Sequence, residues 1–470
     1  MKARGFIVLD NPISNEGHLD SWHVLFIDLL LRDGWRVIAL SGDPAGLTRK
    51  LQAKGLESGA NLIVEGSSAL LAVSPAGRVR AVWRRWSDYV HARRFGLRPA
   101  DGDSGSAIGR ASTRAAVRCA DGALAVVGWL AGAAHACYRW GRRQASAPGV
   151  AALATHLDPM TFCHRAQACI ARHPGEIVAV FSMYVDAYMP QAECWPEFRL
   201  APGVPWMGLC ITPTGDPRLE GYYQAPTYRG TCFLDEAVSR HYQALLPDRH
   251  FAYLPDITET ALPDAPVPIA VDIRRLAGDR RIVFMGGSIG KQKNLARWWG
   301  LICRADPAKW FFVQIGRINR NNLTPEDEAA LDQMQASAPS NLFISPDYLA
   351  DERAFNAVIA ASDVVFAVYL DFARSSNMLS KAANFEKPIL VADDHLMGER
   401  VRHYRIGLAV PARDSDAIHA GLLALEDITD IKDNFSKYRE DFSQARMQAS
   451  LSSFIVACAR VRTGPDVRTE

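Results

Sequence analysis

Apolar runs and polar loops alternate in a regular order at the start of the chain. An apolar run at residues 5–9 precedes a polar loop at 10–18, which leads into a densely apolar segment at 19–31 and a further apolar run at 35–40. Short apolar runs predict buried strands, and the longer segment predicts a helix that ends near Gly34. This strand–helix–strand order is typical of a parallel sheet covered by helices on both faces.

The same alternation returns more regularly in the second half of the chain. A proline-rich stretch at 252–278 has few sustained apolar runs and predicts a linker. Further strands are predicted at 177–181, 206–211, 281–285, 310–315, 341–345, 363–368, 387–391 and 407–410. Helices are predicted between them, and the one at 325–336 is opened by Thr324 and Pro325.

These elements predict an α/β protein with two doubly wound, Rossmann-like domains that face a cleft. We place the first domain at 1–260, with a basic helical insertion at 76–150, and the second domain at 261–430. Helices at 431–470 are expected to cross back to the first domain.

Composition excludes several classes of protein. Of 470 residues 49% are apolar, and 53 Lys and Arg against 51 Asp and Glu give a net charge of +2. A mainly disordered chain is excluded, and a nucleic-acid binder is not expected. The nine cysteines form no CxxC pair, and Cys163 and Cys169 beside His164 are interpreted as buried thiols rather than metal ligands. Since no secretory leader follows Met1, we expect a reducing cytoplasmic location.

The net charge hides one strongly basic segment. Residues 78–143 contain 13 Arg and four Asp but no Lys or Glu, a local charge of +9. They include an apolar run at 123–134 that is too short to cross a bilayer. Two interpretations stay open: a segment lying on the anionic inner face of the cell membrane, or an inserted helical pair with a solvated basic face.

A glycine loop follows the predicted strand at 281–285. It contains Gly286 and Gly287, and Lys291 and Lys293 add positive charge. Glycines let backbone N–H groups approach a phosphate, and a helix N-terminus favours an anion. Because the loop matches neither the Walker A nor the GxGxxG pattern, a turn with solvated lysines is the alternative.

A second polar cluster follows the predicted strand at 363–368 and opens the next helix. Its members are Arg374, Ser375, Ser376 and Asn377, and Lys381 lies one turn further along. Amides and hydroxyl groups at a helix start can bind an anion, and simple N-capping is the alternative. Two such helix starts after strand ends in one domain favour a nucleoside diphosphate.

The order of these pieces between Pro255 and Leu425 resembles the donor-binding half of GT-B glycosyltransferases, in particular the retaining family four. Matching pieces include Ala361-Ser362-Asp363-Val364, Lys387-Pro388-Ile389 and Gly398-Glu399-Arg400-Val401. The resemblance implies sugar transfer from a nucleotide diphosphate sugar, with no metal and no other cofactor. It also implies that Lys293 and the amides of Ser375 to Asn377 contact the diphosphate, and that Glu399 is the acidic residue of the site.

The sequence departs from that family at the donor site. Two glutamates of the family are replaced here by Ala373 and Lys381, and the arginine that accompanies the loop lysine is replaced by Gly287 or Ser288. Since a departing nucleoside diphosphate needs fixed cations, Arg374 or Lys381 is the hypothetical second cation.

Acceptor-side candidates come from loops of the first domain. His18 in the first loop and Asp186 after the predicted strand at 177–181 are the candidate catalytic residues, and Glu16 lies near His18. Because ends of parallel strands line a cleft, these side chains could bind sugar hydroxyls. A solvated histidine and a hydrogen-bonded loop carboxylate are the alternatives.

The resulting expectation is a retaining glycosyltransferase of envelope glycan synthesis, peripheral on the cytoplasmic face of the membrane. Its acceptor would be a lipid-linked sugar or a growing polysaccharide. One alternative is a non-catalytic relative that acts as a binding or assembly partner. Another is an enzyme that acts on nucleotide sugars themselves, such as an epimerase. The sequence leaves the oligomeric state open.

Overall fold

The computed structural model describes residues 5–12, 17–66, 157–188, 195–201, 203–346, 349, 351–428 and 431–459, with the backbone only at 17–20. These residues belong to one structural unit made of residues 1–67 and 148–470. The predicted basic insertion at 76–150 and its membrane contact lie outside the described residues. Within the described part of the chain, no helix is long and apolar enough to cross a membrane.

The first sheet has seven parallel strands. They are β1 (Phe6–Asp10), β2 (Arg36–Ser41), β3 (Leu62–Gly66), β4 (Ile177–Ser182), β5 (Trp206–Cys210), β6 (Tyr228–Phe233) and β7 (His250–Tyr253), in the order β3-β2-β1-β4-β5-β6-β7. Their helices are α1 (Gly17–Arg32), α2 (Pro44–Ala53), α3 (Pro159–Arg172) and α4 (Glu236–Leu245). Alternate residues of β1 enter different cores: Ile7 packs with Phe26 of α1, and Val8 packs with Phe162 of α3. Helices therefore cover both faces, as the apolar strands require.

The second sheet has six parallel strands. They are β8 (Arg281–Gly286), β9 (Trp310–Ile315), β10 (Leu342–Ser345), β11 (Val364–Ala367), β12 (Ile389–Ala392) and β13 (Gly407–Val410), in the order β10-β9-β8-β11-β12-β13. Its helices are α5 (Pro268–Ala277), α6 (Leu295–Arg304), α7 (Pro325–Ser337), α8 (Glu352–Ala361), α9 (Asn377–Asn384), α10 (His395–Tyr404) and α11 (Ser415–Ala424). Thr324 caps α7 with its side chain, and Pro325 occupies the first turn, as predicted.

Two C-terminal helices complete the described chain, α12 (Lys432–Asp441) and α13 (Gln444–Ala459). Helix α12 lies against α9 and α10, whereas α13 lies against β6 and β7 of the first sheet. The ring of Phe454 on α13 meets the ring of Phe181 on β4 edge-on, with centroids 6.4 Å apart. The chain therefore returns to the first sheet after it has built the second.

The two sheets confirm the predicted fold class, two doubly wound α/β layers. The prediction of a linker at 252–278 is confirmed for residues 254–267, which join the two sheets without a helix or strand, and is wrong for residues 268–277, which form α5. Pro268 occupies the first turn of α5, where a missing N–H leaves no hydrogen bond unmade. The proline that indicated a linker therefore begins a helix. The predicted domain boundaries stay a prediction.

Candidate functional site

Sheet topology brings the two predicted polar loops to one edge. Strands β8 and β11 are neighbours in the middle of the second sheet, and the strand order changes direction between them. The glycine loop follows β8, and the segment that contains Arg374 to Asn377 follows β11. A crevice at such a switch point is where doubly wound sheets bind ligands.

The glycine loop lies in close contact with the loop after β9. Gly287 has φ +98° and donates its N–H to the carbonyl of Ile315 at 3.0 Å. A Cβ on Gly316 would lie 1.9 Å from the carbonyl oxygen of Gly287. Real Cβ atoms do not approach a carbonyl oxygen so closely. The two loops can therefore adopt this arrangement only because residue 316 is a glycine.

Lys293 is held at the edge between β8 and β11. It ends a single helical turn after the glycine loop and is half-buried. Its Nζ donates to the carbonyl oxygen of Gly286 at 2.9 Å and to the hydroxyl oxygen of Tyr369 at 2.6 Å. The next residue, Asn294, is buried in a left-handed conformation and donates its Nδ2–H groups to the carbonyls of Val368 and Ala412. Lys293 and Asn294 therefore fix the loop to the segments at the ends of β8, β11 and β13.

An aromatic pair separates Lys293 from a second cation, Arg374. The Nζ of Lys293 lies 4.1 Å from the ring centre of Tyr369, and that ring meets Phe372 edge-on at 5.2 Å. The guanidinium carbon of Arg374 lies 5.3 Å from the ring centre of Phe372. Cations favour the faces of aromatic rings, so this pair gives both charges a fixed support.

Arg374, which was predicted on the donor side, lies near Asp186, which was predicted on the acceptor side. Its Nη1 donates to the Oγ1 of Thr212, which follows β5 of the first sheet, at 3.2 Å. The carboxylate of Asp186 accepts the N–H groups of Thr212 and Ile211 at 3.0 and 3.3 Å. Burial lowers the pKa of Arg374, and the charge of Asp186 opposes that shift. Burial likewise raises the pKa of Asp186.

Helix α9 begins beside a third cation, Arg400 of α10. Ser376 is the N-cap residue and accepts the N–H of Met378 at 3.3 Å. Arg400 is 8% exposed, donates from Nη1 to the Oγ of Ser375 and from Nη2 to the carbonyl of Leu234 in the first sheet at 2.7 Å. The role of Arg400 was not predicted. The sequence did offer one signal: Arg400 follows the apolar Met397 by three positions, and residues three apart lie on the same face of a helix. Both residues are buried in the structure.

The structure does not place Lys381 with these cations. Its side chain is fully buried, and its Nζ contacts Glu352, Asn356 and the backbone carbonyl of Glu259. The hypothesis that Lys381 supplies the second cation is therefore not supported, and Arg374 stays the predicted second cation. Ala373, the other departure, is exposed.

Glu399 and His18 are two further predicted site residues. Glu399 is exposed on α10, whereas the neighbouring Arg400 faces inward. His18 lies in the first turn of α1, which begins at Gly17, and not in the predicted loop. Its side chain and all of Glu16 are outside the described residues.

The structure offers no metal centre in its described part. Among the described residues, no group of three His, Cys, Asp or Glu side chains could hold a metal ion. Cys163 and Cys169 are buried on α3, and burial raises the pKa of both thiols, that of Cys169 to about 12. Both therefore stay protonated near neutral pH.

No family model matches the sequence, and no curated protein matches it. Solved structures nevertheless align over nearly the whole chain. The N-terminal domain of Candida albicans trehalose-6-phosphate phosphatase is 11% identical, covers 97% of each chain and has a TM-score of 0.57. Anabaena HepE, solved with UDP and glucose, is 9% identical, covers 97% of this chain and 100% of its own, and has a TM-score of 0.57. A glycosyltransferase from Rickettsia africae is 9% identical, covers 97% and 99%, and has a TM-score of 0.56. The fold of this chain is that of GT-B glycosyltransferases.

Proposed function

We propose that the protein is a glycosyltransferase that takes a sugar from a nucleoside diphosphate sugar. One observation carries the proposal: at the switch point between β8 and β11, Lys293 is held at the end of β8, and Arg374 and Arg400 lie beside the residues that begin α9. A diphosphate bound at this edge would meet fixed cations and the positive end of the α9 dipole.

Chemistry supports this assignment. When the bond from the sugar to the diphosphate breaks, negative charge grows on the departing nucleoside diphosphate. Lys293 is supported by a carbonyl and a hydroxyl oxygen, and Arg400 likewise, so neither contact cancels a positive charge. These cations are fixed before the ligand binds, which lowers the reorganisation that the reaction requires.

The acceptor is proposed to approach from the first sheet. Thr212 and Asp186 lie in loops that follow strands of the first sheet, and Thr212 contacts Arg374. A sugar hydroxyl bound to these loops would therefore lie next to the donor. The proposed acceptor remains a lipid-linked sugar or a polysaccharide at the cytoplasmic membrane face, in envelope glycan synthesis. That part is supported by the Arg-rich segment of the sequence, and retention of configuration is supported by the family resemblance alone.

A second candidate function is a non-catalytic binding protein. Lys381, at the position where the family has a glutamate, is buried against Glu352 and away from the cations, which favours this alternative. Such a protein would bind the nucleotide sugar without turning it over.

A screen of nucleotide sugars tests both candidates. Full-length protein is heated with UDP-, GDP- and ADP-sugars, and a ligand that binds only the native state raises the melting temperature. The stabilising nucleotide sugar is then incubated with the protein, and release of the nucleoside diphosphate is measured. Stabilisation with release supports a transferase, and stabilisation without release with any lipid-linked or glycan acceptor supports the binding protein. If no nucleotide sugar stabilises the protein, the proposed donor site is wrong.

A further inference from the structure

The segment that joins the two sheets is buried in its first half and half-buried in its second. This joining segment runs from residue 254 to residue 261, between β7 and α5. Leu254, Asp256 and Ile257 are 0%, 5% and 6% exposed. Buried backbone carbonyls need hydrogen-bond donors, and here the donors come from both sheets.

Helices α8 and α9 supply the donors of the second sheet. The Nζ of Lys381 donates to the carbonyl of Glu259 at 3.1 Å. The Nδ2 of Asn356 donates to the carbonyls of Glu259 and Ala261, each at 3.0 Å. Ser380, the neighbour of Lys381, donates its Oγ–H to another carbonyl of the segment. Two consecutive residues of α9 therefore hold the joining segment.

Lys381 is the centre of these contacts. Besides the carbonyl of Glu259, its ammonium group donates to the Oδ1 of Asn356 at 2.6 Å and contacts the carboxylate of Glu352 at 2.6 Å. Burial lowers the pKa of Lys381, and the charge of Glu352 opposes that shift. A buried charge that leaves these partners would be unpaired, so the contacts fix its position strongly.

The first sheet holds the same segment from the other side. Trp22 of α1 donates its Nε1–H to the carbonyl of Ile257 at 3.2 Å. Lys54, at the end of α2, pairs with the carboxylate of Glu259. Glu259 is therefore bound to the first sheet through its side chain and to Lys381 through its backbone.

Helix α9 carries the proposed anion site at its other end. Ser376 caps the helix, and Lys381 lies five residues later in the sequence. At 1.5 Å per residue this separates the cap from the contacts to the joining segment by about 7 Å along the helix axis. A ligand that orders the first turn of α9 therefore acts on a helix already tied to the segment between the sheets.

We propose that Lys381 is a positioning residue that ties the joining segment to α9, so that a nucleoside diphosphate at the start of α9 also steadies the segment between the sheets. The proposal rests on the proposed function for its ligand. It gives Lys381 a role that does not require contact with the donor. It also explains a buried lysine where an apolar side chain would pack at lower desolvation cost.

Hydrogen exchange of the full-length protein tests this role. Peptides that cover residues 254–261 are followed by mass spectrometry in the wild type, Lys381→Met and Lys387→Met, with and without UDP, GDP or ADP. Lys387 is the matched control, because it is a half-buried lysine between α9 and β12 whose charge lies near Asp363 and not near the joining segment. Affinity for the same nucleotides is measured by calorimetry.

The expected results distinguish a role of Lys381 in holding the joining segment from a role in binding the nucleotide. In Lys381→Met the backbone amide hydrogens of the joining segment should exchange about tenfold faster, because the lost contacts lower the free energy of local opening. Its nucleotide affinity should stay near that of the wild type, but the nucleotide should no longer slow exchange in the segment. Lys387→Met should behave as the wild type in both measurements.

Other outcomes overturn the proposal. Wild-type exchange in Lys381→Met would show that the lysine does not hold the segment, and a large loss of affinity with normal exchange would show a direct ligand contact. If no nucleotide binds the wild type, the proposed function fails, while faster exchange in Lys381→Met still identifies the tie. If Lys381→Met does not fold, Lys54→Met replaces it, because Lys54 is 45% exposed and should loosen the same segment from the other side.

Discussion

Six strands have the same order in both sheets, and β7 adds a seventh to the first sheet, but the charged groups at the strand ends have different partners in the two sheets. In the first sheet, Asp10 at the end of β1 accepts two hydrogen bonds from Arg165, at 3.0 and 2.7 Å, and one from Tyr188 at 2.9 Å. The buried Glu220 accepts hydrogen bonds from Tyr222 and Tyr242 at 2.6 and 2.8 Å. These carboxylates are satisfied inside the protein and stabilise the first sheet.

At the corresponding edge of the second sheet two cations, Lys293 and Arg400, are held by neutral oxygen atoms, whereas the exposed Arg413 pairs with Asp371. Lys293 is held by a carbonyl and a hydroxyl oxygen, and Arg400 by a hydroxyl and a carbonyl oxygen. A neutral partner positions a charge without cancelling it. Two sheets with similar strand orders can therefore differ in whether a buried charge is neutralised within the protein or is held by neutral groups.

The largest expected effect comes from breaking the buried pair of the first sheet. Arg165→Met leaves the carboxylate of Asp10 buried without its cation, and the unfolding free energy should fall by about 3–5 kcal/mol. Urea denaturation followed by tryptophan fluorescence measures the loss. Arg218→Met, which breaks the exposed pair with Asp216, is the control and should change stability little. Equal stability of the two variants would contradict a structural role for the Asp10 pair.

A smaller effect is expected from the buried histidine of the first sheet. Burial lowers the pKa of His23 on α1 to about 3, whereas the unfolded chain has a value near 6.5. As the pH falls below 6.5 the unfolded state binds a proton that the folded state does not, so stability falls. The loss is about 1.4 kcal/mol per pH unit and about 2 kcal/mol at pH 5.

His23→Leu should remove this dependence on pH. Unfolding free energies of the wild type and His23→Leu are compared between pH 7 and pH 5, with the exposed His403→Leu as control. The curve of His23→Leu should be flatter than the other two. Three parallel curves would show that His23 takes up its proton in the folded state.

The smallest effect is expected at the edge of the second sheet. Tyr369→Phe removes the hydroxyl oxygen that accepts a hydrogen bond from Lys293 at 2.6 Å. Loss of one such bond should weaken nucleotide binding by about two- to tenfold, since a hydrogen bond contributes about 0.5–1.5 kcal/mol. Calorimetry measures the change, and Tyr223→Phe in the first sheet is the control. Tighter binding by Tyr369→Phe would mean that the hydroxyl competes with the ligand for Lys293.

Sequence patterns predicted the strands whose apolar runs are buried, such as β1 and β8, because burial on both faces requires continuous apolar residues. They missed β3 and β7 because edge strands need no such run: four of the five residues of β3 and three of the four of β7 are only half-buried. Strand β6 was missed because Arg229 and Gly230 interrupt its apolar pattern.

For the site, the sequence located the glycine loop and the start of α9 but not what each side chain faces. Lys381 and Arg374 carry the same charge on one segment, and only the packing of α8 and the joining segment around α9 makes one of them internal. The contact of Arg374 with Thr212 joins positions 162 residues apart, and no local pattern encodes such a pairing.

The edge between β8 and β11 is proposed to bind a nucleoside diphosphate through its fixed cations. Calorimetry on full-length wild type, Lys293→Met and Lys437→Met, with UDP, GDP and ADP tried separately, tests it most directly. Lys437 is exposed on α12 and serves as the matched control. Lys293→Met should bind the nucleotide about ten- to a hundredfold more weakly, as expected for a lost hydrogen bond to a charged group, and Lys437→Met should bind as the wild type does. Wild-type affinity in Lys293→Met would contradict the account.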